Sequence, residues 1–161
     1  MLNSNLDWGQ DLIYLKEWIE KHPHAKPLSL AYFGPMDPRV LGIEFSVPPA
    51  SKPHTEPVIQ PGVPPETLAP GYYAVSANLV AGEGYSIPDD VGGRREIPQF
   101  GYMYFRMFKP IDRAGYSILI YHLTPNDIAR LSAMDMRERS GAWSTAAHIA
   151  AGAVGGGHVG L

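Results

Sequence analysis

The stretch "GYSILIYHL", residues 115–123, decides the fold. From Ile118 to Leu123 it is a nearly continuous apolar and aromatic run, the pattern of a strand covered on both faces rather than of an alternating strand with one wet side. Immediately downstream, Thr124-Pro125-Asn126-Asp127 supplies a helix start: a capping hydroxyl, a proline at the first helical position and an acid in the first turn. The spacing predicts a helix from Pro125 to about Arg139. A buried strand that feeds straight into a helix makes the chain α/β.

Upstream, "FGYMYFRMF" (100–108) is aromatic on nearly every face and predicts a short buried helix ending before Pro110. Residues 81–98 read as a polar loop, and "GYYAVSANLV" (71–80) as a strand rich in aromatic and β-branched residues. Between 48 and 70, Pro48, Pro49, Pro53, Pro57, Pro61, Pro64, Pro65 and Pro70 remove backbone donors so often that neither helix nor central strand continues. This segment is expected to be a long extended loop. Ile43 to Val47 alternates like a half-buried strand, and Asp37-Pro38 opens a brief helical turn through Leu41. "LSLAYFG" (28–34) predicts another buried strand. Trp8, Leu12, Leu15, Trp18 and Ile19 follow helical spacing up to His22-Pro23 and define a first helix. The expectation is a single small α/β sandwich of about four strands flanked by helices, with a long proline-rich loop. It spans 1–139 and is followed by a glycine-rich, small-residue tail at 140–161 that Trp143 could dock.

Composition removes several function classes. A chain of 161 residues that is 45% hydrophobic suffices for one sizeable core. A formal charge of −3 lacks the clustered cations that nucleic acid requires, and Arg94-Arg95 and Arg137 to Arg139 carry Glu96 and Glu138 beside or within them. Without cysteine there is no disulfide, thiolate nucleophile or cysteine-ligated zinc. No run approaches the ~20 apolar residues of a membrane span, and no basic-then-apolar signal stands at the N-terminus.

Few residues invite chemistry. Asp7 and Gln10 have the spacing of a reciprocal capping box, and Asp11 sits where the helix dipole favours an acid. The competing reading pairs Asp7 with Asp11 as acid and base on one helix face. Thr124 is expected to cap the last helix. Of the six histidines, only His22 and His24 are close in sequence, and no third ligand has zinc-site spacing, so neither metal nor cofactor is expected. "GEG" (82–84) and "GGR" (92–94) lack the strand-to-helix setting of a phosphate loop, and Ser76 and Ser117 lie within strands rather than on a nucleophile elbow. Trp8, Tyr72, Tyr73, Tyr102, Tyr104 and Trp143 are the candidates for an interface or a sugar-stacking groove, with core packing as the alternative.

Four segments in order, "SNLDWGQDL" (4–12), "PLSLAYFG" (27–34), "PGYYAVSANLV" (70–80) and "FKPIDRAGYSILIYHL" (108–123), resemble the soluble C-terminal domain of bacterial polytopic, lipid-phosphate-sugar-dependent glycosyltransferases related to protein O-mannosyltransferases. The resemblance covers roughly residues 3 to 123 and leaves the tail without a counterpart. It implies a domain that follows the last membrane helix outside the cytoplasm, whereas the lack of a signal sequence points to the cytoplasmic side. Catalysis in that family belongs to the multi-span part, so the resemblance carries no catalytic residue over to this chain. The expectation is a non-catalytic, membrane-peripheral subunit contacting an integral membrane protein or complex through the loop 48–70 and the tail 140–161. The alternative is a sugar- or lipid-linked-sugar-binding domain, or a fragment of a membrane glycosyltransferase.

Overall fold

The computed structural model describes residues 7–53 and 64–134. Trp143, the tail 140–161, the end of the last expected helix and the middle of the proline loop fall outside these residues. Helix α1 (Gln10–Lys21) buries Asp11, Leu12, Leu15 and Trp18 along one face and exposes Ile13 and Tyr14. Trp8 does not join that face: it stands 66% exposed, while Trp18 is only 7% exposed. The cause is Gly9, which caps α1 in the left-handed region at φ +105°, so the chain swings out of helical register before Gln10. The helix ends as the spacing requires, with the His22 amide on the Ile19 carbonyl and Pro23 beyond.

Strand β1 (Leu28–Ala31) is shorter than the "LSLAYFG" run. Asp37 caps a 3₁₀ turn (Pro38–Leu41), accepting from the Arg39 amide, and Gly42 closes it. The segment 43–47 keeps its alternation, with Ile43 buried and Glu44 exposed, but it pairs only through Ser46. Leu30 donates to the Ser46 carbonyl at 2.8 Å and the Ser46 amide to the Leu28 carbonyl at 3.1 Å. Pro48-Pro49 then ends the segment, since neither residue can donate to a ladder. The expected strand is therefore a single rung beside β1.

The expected strand at 71–80 is two elements, β2 (Gly71–Ser76) and the helix α2 (Ala77–Ala81). Ala77 donates to the Ser117 carbonyl at 2.6 Å, and Ser76 Oγ accepts the Phe33 amide at 2.8 Å. The chain then turns so that Leu79 and Val80 enter the core, and Gly82 terminates α2 at φ +109°. Residues 81–98 are not a plain loop but carry the hairpin β3 (Tyr85–Pro88) and β4 (Arg94–Ile97). Its tip is organised by Asp89, whose Oδ1 accepts the amides of Val91 and Gly93. The aromatic segment forms the expected short helix before Pro110, as a 3₁₀ helix (Met103–Met107) that buries Met103, Tyr104 and Phe105.

β5 (Asp112–Ala114) and β6 (Ile118–Leu123) complete the main sheet, and a helix, α3, runs from 125 through 134, the last residue described there. Strand order is β1-β2-β6-β5, parallel between β1 and β2 and antiparallel elsewhere. The apolar run Ile118–Leu123 thus lies inside the sheet, between β2 and β5, as its composition demands. Alternating side chains feed two cores. Leu28, Leu30, Ala74, Ala114, Ile118 and Ile120 pack with Leu12, Leu15 and Trp18 of α1. On the opposite face Ala31, Tyr73, Val75, Tyr121 and Leu123 pack with Leu79, Ile87, Tyr104, Phe105 and Leu131. The molecule is a small α/β domain built on a four-stranded mixed sheet flanked by helices. The main sheet has the expected four strands, but β5 stands in place of the 43–47 segment, and β3 and β4 form a separate hairpin.

Candidate functional site

The two aspartates at the start of α1 are both buried, and their hydrogen bonds stay within the fold. Asp7 Oδ1 accepts the amide of Gly9 at 2.9 Å and that of Asp11 at 3.2 Å. Gln10 is exposed and makes no return bond, so the Asp7–Gln10 capping box does not form. With Gly9 as the cap residue, the donor that Asp7 reaches is Asp11 instead. Asp7 Oδ2 is buried without a hydrogen-bond partner. Asp11 Oδ2 accepts three bonds from the turn before β6: the Tyr116 amide at 3.0 Å, the Ser117 amide at 2.6 Å and the Ser117 hydroxyl at 2.5 Å. Ser117 is thereby engaged by a carboxylate, and among the described residues no imidazole bonds it. Gly115 makes the approach possible, because it holds φ +59° and a Cβ there would overlap Asp11 Oδ1. The Asp11 carboxylate thus ties α1 to the turn before β6, while that of Asp7 bonds amides at the helix start.

Tyr32 reinforces the same corner by donating to the Asp7 carbonyl at 2.9 Å. Burial, helped by the negative charge of Asp7, pushes its phenol well above the usual tyrosine range.

The tyrosines proposed for a groove divide. Tyr102 and Tyr104 are completely buried, and each hydroxyl is committed to the entry of the proline segment. Tyr102 donates to the Pro48 carbonyl at 2.7 Å and Tyr104 to the Pro49 carbonyl at 2.7 Å. The Ser51 amide adds a bond to the Gly101 carbonyl at 2.8 Å. Burial raises both phenols strongly. Tyr73, also buried, holds the exit of the same segment through the Ala69 carbonyl. These three side chains offer no exposed stacking face: they staple the two ends of the proline loop to the core.

Tyr72 faces the other way. Register pairs it with His122, and the two rings stack at 4.2 Å with planes 3° apart. His24 meets Tyr72 edge-on at 5.8 Å and His22 at 5.7 Å, while His22 stacks on Trp18 at 4.1 Å. The Trp18 indole donates to Asp112 Oδ2 at 2.8 Å and His22 Nδ1 donates to the Trp18 carbonyl at 2.7 Å, which assigns the proton to Nδ1. The Arg113 amide, then the Trp18 indole, hold the Asp112 carboxyl below its ordinary value. A continuous network of five rings and one carboxylate therefore lies at the C-terminal end of α1. Its local sequence signs are the i, i+4 spacing of Trp18 and His22 and the nearness of His24, whereas Tyr72 and His122 meet through sheet register. Among the described residues no group of three or more His, Cys, Asp or Glu side chains is placed to hold a metal ion.

At the C-terminal end of β6 the cap expected of Thr124 is present, and Asp127 makes it reciprocal. Thr124 Oγ1 accepts the Asp127 amide at 3.2 Å, and Asp127 Oδ2 accepts the Thr124 amide at 2.8 Å.

Among the described residues, five of the nine exposed large apolar side chains lie on or beside α1 and β5, the strand that α1 packs on, and Val40, Val91, Met107 and Met134 lie elsewhere. Trp8, Ile13 and Tyr14 flank or lie on α1, Ile111 precedes β5, and Tyr116, 87% exposed, follows it. In this sequence Trp8 is thus an exposed ring next to a buried carboxylate. Among the described residues no helix is long and apolar enough to cross a membrane. Comparison with protein-family models, with curated proteins and with solved structures returns no match to this chain.

Proposed function

We propose that this chain is a non-catalytic interaction module that docks peripherally on an integral membrane protein or complex. The observation that supports the reading most is the exposure of Trp8, Ile13, Tyr14, Ile111 and Tyr116 along α1 and the ends of β5. Aromatic residues at such positions are the side chains that anchor protein interfaces, because they bring large rigid areas at small entropic cost. Beside them Asp7 Oδ1 and Asp11 Oδ2 are engaged in internal hydrogen bonds, which favours binding over chemistry. The proline segment and the tail extend the same role. A photo-crosslinking residue at position 8 or 116, introduced into the protein in its native membranes, tests the proposal. Crosslinks to an integral membrane protein are expected. A protein that purifies from those membranes alone, without crosslinks, overturns it.

A second reading, a domain that binds sugars or lipid-linked sugars, or a piece of a membrane glycosyltransferase, is favoured by the ring network at the C-terminal end of α1. Tyr72, His24 and His122 present ring surface and polar nitrogens together there, a combination suited to hydroxylated rings. Titration with glycans and lipid-phosphate sugars, followed through the imidazole signals of His22, His24 and His122, distinguishes the readings. Silence at millimolar ligand removes this one.

A further inference from the structure

We draw no further inference here: the strongest candidate, the ring cluster of His22, His24, Tyr72 and His122 over Trp18 at the C-terminal end of α1, holds no unpartnered buried polar side-chain atom among the described residues, and nothing in the structure shows what covers it.

Discussion

Asp11 holds Ser117 at two points, accepting its amide at 2.6 Å and its hydroxyl at 2.5 Å from the same carboxylate oxygen. The pair joins the first turn of α1 to the entry of the central strand β6. Replacing Asp11 with Ala strands two amides and a hydroxyl and is expected to destabilise the fold by about 3 kcal/mol. Ser117→Ala, which keeps both amide bonds, is expected to cost about 1 kcal/mol. Urea unfolding measures both. Additive effects in the double variant would show that the two groups do not interact.

Gly115→Ala is expected to be more damaging than its size suggests. The left-handed backbone alone costs an alanine roughly 1–2 kcal/mol, and the new methyl group meets the Asp11 carboxylate. Removing that carboxylate frees the space, so Gly115→Ala should cost less in the Asp11→Ala background than in the natural protein. An equal cost in both backgrounds would leave only the backbone contribution.

Two phenols hold the start of the proline segment, and each is testable by deleting one oxygen. Tyr102→Phe and Tyr104→Phe should each lower stability by about 1 kcal/mol. They should also speed hydrogen exchange at the Ser51 amide, which bonds the Gly101 carbonyl beside them. Loss of global stability without faster exchange at Ser51 would mean that the phenols do not anchor this segment.

Acid should weaken the fold through carboxylates whose charged forms are hydrogen-bonded. The Thr124 amide, then its hydroxyl, lower Asp127, while the Arg113 amide and then the Trp18 indole lower Asp112. A folded-state pKa below the unfolded one contributes stability that is present above the unfolded value, near 4, and is lost as pH falls through the folded value. The contribution of these two carboxylates should therefore be level near neutrality and decline below about pH 4. Asp127→Asn is expected to destabilise at pH 7 and to make much less difference in strong acid, where the natural residue is itself protonated. Urea midpoints at both pH values provide the check.

The two tryptophans of the first helical pattern should behave oppositely. Trp18→Ala empties a core site and gives up the Asp112 bond, at a cost of about 3–5 kcal/mol. Trp8→Ser should change stability by no more than about 0.5 kcal/mol. If the exposed face binds a membrane partner, Trp8→Ser should still abolish co-purification. Retention of the partner by a Trp8→Ser, Tyr116→Ser double variant would exclude that face as the contact.

The same two residues show what the sequence could and could not convey. Helical spacing admitted Trp8 to one apolar line and Trp18 to a neighbouring one, and the left-handed cap at Gly9 takes Trp8 out of the helix. The 115–123 run was legible because a strand covered on both faces has to be apolar throughout, and Thr124 because capping is local chemistry. β5 was not, since Asp112 and Arg113 carry no strand signature and become a strand only by pairing with β6. The β3–β4 hairpin was hidden for a related reason, because Arg94, Arg95 and Glu96 are exposed and polar. For Tyr102 and Tyr104 the sequence offered a ring with a polar tip, while the carbonyls that receive the tips lie 54 and 55 residues away.

The strand order β1-β2-β6-β5 also constrains how the chain acquires its structure. β2 gains its second neighbour only when β6, more than forty residues later, arrives, so a nascent chain that has emerged only through α2 holds a parallel pair with one open edge. Such distant pairing must meet its loop-closure entropy before contacts reward it. Refolding is accordingly expected over roughly milliseconds to seconds rather than microseconds, and β2 is the strand that most needs protection from wrong partners during synthesis.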